Sequence, residues 1–176
     1  MTALSCKAGL ALSLTVVSGL ALTPLRAETA DHRAAPATTF DPVAFFTGAT
    51  VGKGSLKKMM SSPQDSHVSS FGAMRRDGVL VLDQTVRIEG EAVKTRHWQL
   101  RPAGPGRFTG TISDAKGAVT AQVSGDRLTI RYTMTDGMTV DQVLTIAPGG
   151  QSARNAMKFR KFGIVAATLN ETIRRE

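Results

Sequence analysis

Residues 119–146 read VTAQVSGDRLTIRYTMTDGMTVDQVLTI. Within this stretch Leu128, Ile130, Tyr132 and Met134 alternate with Thr129, Arg131, Thr133 and Thr135. Val119, Ala121 and Val123 alternate with Thr120, Gln122 and Ser124, and Met138, Val140, Gln142, Leu144 and Ile146 alternate with mostly polar residues. A period of two with one apolar face is the signature of an antiparallel strand with one face buried. Gly125-Asp126 and Asp136-Gly137 interrupt the alternation where tight turns belong, since glycine accepts positive φ without a Cβ clash.

The same punctuation extends outward in both directions. Turn signals stand at Asp77-Gly78, Glu89-Gly90, Pro102 to Gly106, Asp114 to Gly117, Pro148 to Gly150 and Gly163. Spacing of roughly ten residues predicts an all-β chain of about eight to ten short strands. A single antiparallel barrel and a β-sandwich both satisfy that pattern. A helix is the alternative for residues 151–159. Gly52-Lys53-Gly54-Ser55 lacks the spacing of a phosphate loop and reads as glycine in a bending strand.

The chain has 176 residues, 41% hydrophobic and 20% charged, with a formal net charge of +8. That length suits one domain. A single cysteine excludes a disulfide scaffold and a cysteine-based zinc cluster. Lys7 precedes an uncharged apolar run over residues 8–22, AGLALSLTVVSGLAL, and Pro24 follows it. The run is short for a membrane span, which takes about 20 apolar residues. It reads as a secretory signal peptide, residues 1–27, cleaved after Ala27, with an uncleaved anchor as the alternative. Removing Lys7 and Arg26 from the 22 basic side chains leaves 20 against 14 acidic ones, a net +6. Cys6 precedes the apolar run, so it cannot be a lipoprotein cysteine. These features predict a periplasmic protein with a flexible linker over residues 28–39 and a folded domain over residues 40–176.

Several short motifs occur in order: Phe45-Phe46-Thr47-Gly48, Gly52-Lys53-Gly54, Asp77-Gly78 leading into Leu80-Val81-Leu82-Asp83-Gln84, Arg96-His97-Trp98-Gln99-Leu100, Gly106-Arg107-Phe108-Thr109-Gly110, Asp114 with Gly117, and Lys161-Phe162-Gly163. Their order and spacing resemble the bacterial envelope family catalogued as domain of unknown function 3833, over about Phe40 to Arg175. The resemblance implies a lipocalin-like β-barrel and hints at a lipid ligand. It assigns no biochemical activity. Many members are lipoproteins, and this chain departs from them in its cysteine. It also has Gln84 where the family typically carries an acid.

The candidate ligand-binding residues are Asp83, Gln84, Arg96, Trp98 and Tyr132. If β-strands around Asp83 and Arg96 form a hairpin through Glu89 to Ala92, their centres are cross-strand neighbours. An interior arginine can hold a carboxylate or phosphate bidentately, with Trp98 as apolar wall. The structural alternative is an Asp83–Arg96 ion pair with Trp98 plugging one barrel end. Tyr132, the single tyrosine, offers a hydroxyl to a ligand or packs as core. His32, His67 and His97 show no metal-ligand spacing, and Gly-x-Ser-x-Gly is absent. No catalytic residue, metal or cofactor is expected.

Three classes of function follow. The first is a carrier or binding protein for a lipid-like or apolar small ligand, which requires an interior gap large enough for an acyl chain. The second is a non-enzymatic envelope-maintenance or scaffold protein docking on an anionic membrane or a protein partner. Lys53, Lys57, Lys58, Arg75, Arg76, Lys158, Arg160, Lys161, Arg174 and Arg175 can merge into one basic patch if the first and last strands meet. Outside the cytoplasm such a patch meets anionic lipid. Without interleaved aromatics it is no nucleic-acid site. An enzyme acting on lipid through Asp83 and Arg96 is a third, weaker class.

Overall fold

The computed structural model describes residues 38–176. A short helix, α1 (Pro42–Phe46), precedes ten strands: β1 (Gly48–Lys58), β2 (Gln64–Met74), β3 (Leu80–Ile88), β4 (Lys94–Pro102), β5 (Arg107–Ile112), β6 (Val119–Ser124), β7 (Arg127–Thr133), β8 (Thr139–Ile146), β9 (Ser152–Lys161) and β10 (Ile164–Arg175). Each strand pairs antiparallel with its sequence neighbours, and β10 returns to pair with β1 along Thr50–Lys58. The sheet is thus a closed, lipocalin-like barrel with no unpaired edge, which removes the aggregation hazard of an exposed strand. Closure also decides against the sandwich.

The alternation read from residues 119–146 is realised as burial. Val119, Ala121, Leu128, Ile130, Tyr132, Val140, Leu144 and Ile146 point inward and are buried. Residues 151–159 are not helical. They belong to β9, where Ala153, Asn155, Met157 and Phe159 are buried and the intervening residues face outward. The helical reading failed because Ala, Asn and Met carry little strand propensity, while pairing to both β8 and β10 overrides propensity.

Local chemistry explains the helix that periodicity did not reveal. Asp41 caps α1, its Oδ1 accepting from the N–H groups of Val43 (2.9 Å) and Ala44 (3.1 Å). Pro42 stands at the first helical turn, where no donor is needed. Five residues are too few to display a 3.6-residue period. Phe40, Phe45 and Phe46 pack in tilted and edge-to-face contacts at 5.0–5.4 Å between ring centroids and close one barrel end. Phe40 N–H is tied to Gly125 O at 2.9 Å. Gly72 makes room for this plug, since a Cβ there would lie 1.9 Å from Phe46 O. Gly54 plays the same part at closure: its Cβ would meet Asn170 O at 2.0 Å. The glycines of residues 52–55 thus sit in a strand, β1, where they permit its close approach to β10.

Candidate functional site

The β3–β4 hairpin places the sequence-derived candidates on two different faces. Asp83 lies opposite His97, and Gln84 lies opposite Arg96. Asp83 therefore points outward, its side chain 74% exposed, and its Oδ1 accepts from His97 Nδ1 at 2.6 Å. The expected Asp83–Arg96 pair does not form. One step of register separates the two residues, and in a strand one step changes the face. Asp83 is consequently not part of the interior. Arg96 instead meets Asp114, from the β5–β6 turn, at 2.7 Å. The contact is to Asp114 Oδ2 and is out of line for a full hydrogen bond, so Arg96 Nε keeps unused capacity; Asp114 Oδ1, the other carboxylate oxygen, also has no partner.

Gln84, Arg96, Trp98 and Tyr132 do come together inside. Trp98 Nε1 donates to Gln84 Oε1 at 2.6 Å, and Gln84 Nε2 donates to Ser70 Oγ at 3.1 Å. The Trp98 and Tyr132 rings meet edge to face at 5.8 Å. Burial pushes the Tyr132 phenol up to about 12, with Arg96 pulling it down and Asp114 pushing it up. It is a neutral hydroxyl at any ordinary pH, and its oxygen has no protein partner.

Tyr132 packs behind Trp98, and Ser70, Gln84, Arg96 and Trp98 line a half-enclosed cavity of about 70 Å³. Leu82, Val86, Ile130, Met157 and Leu169 supply its apolar wall. Thr50, Gln142, Asn155 and Glu171 supply polar groups that the sequence reading did not single out. Each leaves one buried oxygen unpaired: Thr50 Oγ1, Gln142 Oε1, Asn155 Oδ1 and Glu171 Oε2. Asn155 Nδ2 donates to Glu171 Oε1 at 2.6 Å. Burial raises the Glu171 pKa above the usual carboxylate value, opposed by the Asn155 bond and by the positive charge of Arg96. The Glu171 carboxyl occupies the space left by the missing side chain of Gly52, whose Cβ would fall 2.7 Å from Oε2.

A signal for these residues did exist. Gln142, Asn155 and Glu171 are polar residues in the apolar phase of an alternating strand, as in Leu169-x-Glu171-x-Ile173. What alternation cannot say is that β8, β9 and β10 bring them to one region. Closure does that: Glu171 lies opposite Asn155, and Met157 opposite Gln142.

The cavity is smaller than the acyl-sized gap the carrier reading requires. An engineered apolar cavity of about 150 Å³ takes one benzene. A space of about 70 Å³ accommodates several waters or a small polar group. Met157, Leu169 and Trp98 occupy volume that an extended chain would need. The arrangement is compatible with a small ligand having an apolar body and one hydrogen-bonding end. Among the described residues no group of three or more His, Cys, Asp or Glu side chains is placed to hold a metal ion. No described helix is long and apolar enough to cross a membrane.

Two solved structures share the architecture. The S-type phycobiliprotein lyase CPES from Guillardia theta superposes with a TM-score of 0.59 at 7% identity, over 76% of this chain and 90% of that one. Rv2717c from M. tuberculosis superposes with a TM-score of 0.58 at 16% identity, over 78% and 99% respectively. Both are lipocalin-like barrels, and at these identities the likeness is one of fold. Among curated protein sequences none matches. Residues 20–175 match the family described as protein of unknown function DUF3833, and the chain belongs to that family.

Proposed function

We propose that the barrel binds a small amphipathic ligand, lipid-like in having an apolar body and one polar end. The apolar part lies along Leu82, Ile130, Met157 and Leu169. The polar end meets Glu171, Asn155, Gln142 and Thr50, with Gln84, Arg96 and Trp98 bordering it and Tyr132 supporting Trp98 from behind. One observation carries this reading. Four strands direct polar side chains into the same cavity, and each leaves a buried oxygen without a partner. A buried polar atom without a partner costs about 1–3 kcal/mol. A core built for stability alone would replace these residues with apolar ones, so their cost is offset when a bound molecule or water supplies the missing bonds. A ligand with an acyl chain fits only if Met157 and Leu169 change rotamer.

The apolar run over residues 8–22 supports export to the periplasm as the setting for such a carrier. No catalytic set is needed. The test is native mass spectrometry of the full-length protein purified without detergent, followed by solvent extraction of the same sample. A stoichiometric adduct is expected, reduced in Asn155→Ala/Glu171→Gln. An unliganded mass in both proteins, unchanged after incubation with total membrane lipid, would overturn the reading.

A further inference from the structure

Two non-glycine residues among the described ones adopt positive φ: Met60 at 63° and Phe162 at 51°. That region normally falls to glycine, asparagine or aspartate. The same two side chains are the most exposed of the large apolar groups described, at 98% and 93%. Each sits in a hairpin turn, β1–β2 or β9–β10, at the barrel end opposite α1. These turns are neighbours. Lys58 faces Ala167 across the β1–β10 pair, and Met59 N–H donates to Ala166 O at 2.8 Å. Met59, Ile164 and Val165 extend the exposed apolar surface around them.

Over residues 42–64 and 142–170, which include the two turns, the charged side chains are all basic. Carboxylates of neighbouring segments reach Lys58 and Arg160, and Lys161 Nζ donates to the backbone oxygen of Asp136. Lys57, Lys158 and Lys161 have no carboxylate within ion-pair distance among the described residues, while Lys58 pairs with Glu91 and Arg160 with Asp141. Lys161 Nζ stands 5.7 Å from the Phe162 ring centroid. Apolar tips ringed by lysine are what shallow insertion into an anionic bilayer requires. The tips enter the boundary of the acyl region, and the ammonium groups meet phosphates.

We propose that this rim docks on the surface of an anionic phospholipid bilayer, with Met60 and Phe162 as the inserted side chains. The proposal is independent of what the barrel interior holds.

The test uses the full chain carrying Phe162→Trp as an optical reporter, with the signal of Trp98 subtracted using the parent protein. Asp77→Trp, in the β2–β3 turn at the α1 end, is the control. Vesicles of phosphatidylethanolamine with phosphatidylglycerol should shift the emission of Phe162→Trp to the blue. Brominated lipid should quench it, and high salt should reverse both effects. Asp77→Trp should not respond, and Met60→Asp in the Phe162→Trp background should lose the shift. The proposal fails if Phe162→Trp is silent on these vesicles, even when the chain floats with them through another segment. It fails equally if phosphatidylcholine alone gives the same shift. A blue-shifted emission before vesicles are added would also overturn it. Dependence of that emission on protein concentration would then mark a second copy as the occupant, and independence a segment of the chain itself.

Discussion

Glu171 carries a carboxyl group into a cavity whose wall is largely aliphatic, and burial raises its pKa more than Asn155 and Arg96 lower it. The sign of the consequence follows from linkage. A folded-state pKa above the unfolded value gives stability that is full below the ordinary glutamate value of 4.5 and is lost as pH rises through the folded value. Glu171→Gln, which cannot ionise, should therefore melt at a higher temperature than the parent protein at pH 8. The gap should close by about pH 4. Thermal melts across that range decide it, and a pH-independent gap would mean that ionisation of Glu171 is not the cause. Trp98 makes a different argument. It joins Gln84 by a 2.6 Å hydrogen bond and Tyr132 by ring contact, and it is 5% exposed. Trp98→Ala should cost about 3–5 kcal/mol in urea unfolding. A cost below about 1 kcal/mol would show that the cavity wall collapses to fill the gap.

Two elements depend on contacts rather than on side-chain bulk. The pairing of β1 with β10 needs Gly54, because a Cβ there meets the backbone of Asn170 and Glu171. Backbone cannot rotate away as a flexible side chain can. Gly54→Ala should therefore cost about 1–3 kcal/mol or more, by the usual penalty for overpacking. Hydrogen exchange should show the loss concentrated in β1 and β10, and protection unchanged in those strands would refute the account. At the other end, α1 is held by the Asp41 cap and by the phenylalanine plug. Asp41→Ala should lower stability by about 1 kcal/mol. The plug, not helix propensity, must supply most of the stability of a five-residue helix.

Over the whole barrel, the apolar side chains point in and the charged ones mostly point out, the reverse of a membrane-spanning barrel. Nine consecutive hairpin pairings are local in sequence, and the tenth, β1 with β10, joins the two ends of the domain. Closure is thus the one pairing with a large loop-entropy cost. Deleting residues 164–176 should leave β1 and β9 as bare edges. The expected product is an aggregated chain rather than a smaller stable barrel, as size-exclusion chromatography would show. A monomeric, cooperatively melting product would contradict this.

Much of the architecture was legible in the sequence because it rests on covalent geometry. Successive side chains of a strand alternate between faces whatever surrounds them, so the strand phases, the turns at Asp77-Gly78 and Asp136-Gly137, and the inward direction of Trp98 and Tyr132 could be read directly. The family resemblance added the barrel. Arg96, Trp98 and Tyr132 were read from the strand faces they share with apolar neighbours, whereas Gln84 was singled out only together with Asp83, and it is Gln84 that lies in the inward phase of β3. Asp83 was misread because its interior role assumed a partner, and partnership depends on register as well as proximity. The meeting of Glu171 with Asn155, and of both with Gln142 and Thr50, was decided only by the tertiary structure. So were the small size of the cavity and the juxtaposition of Met60 with Phe162. The physical reason is the same in each case. Alternation along a strand is a local property of the backbone, whereas the stagger between strands is set by how ten of them close on one another.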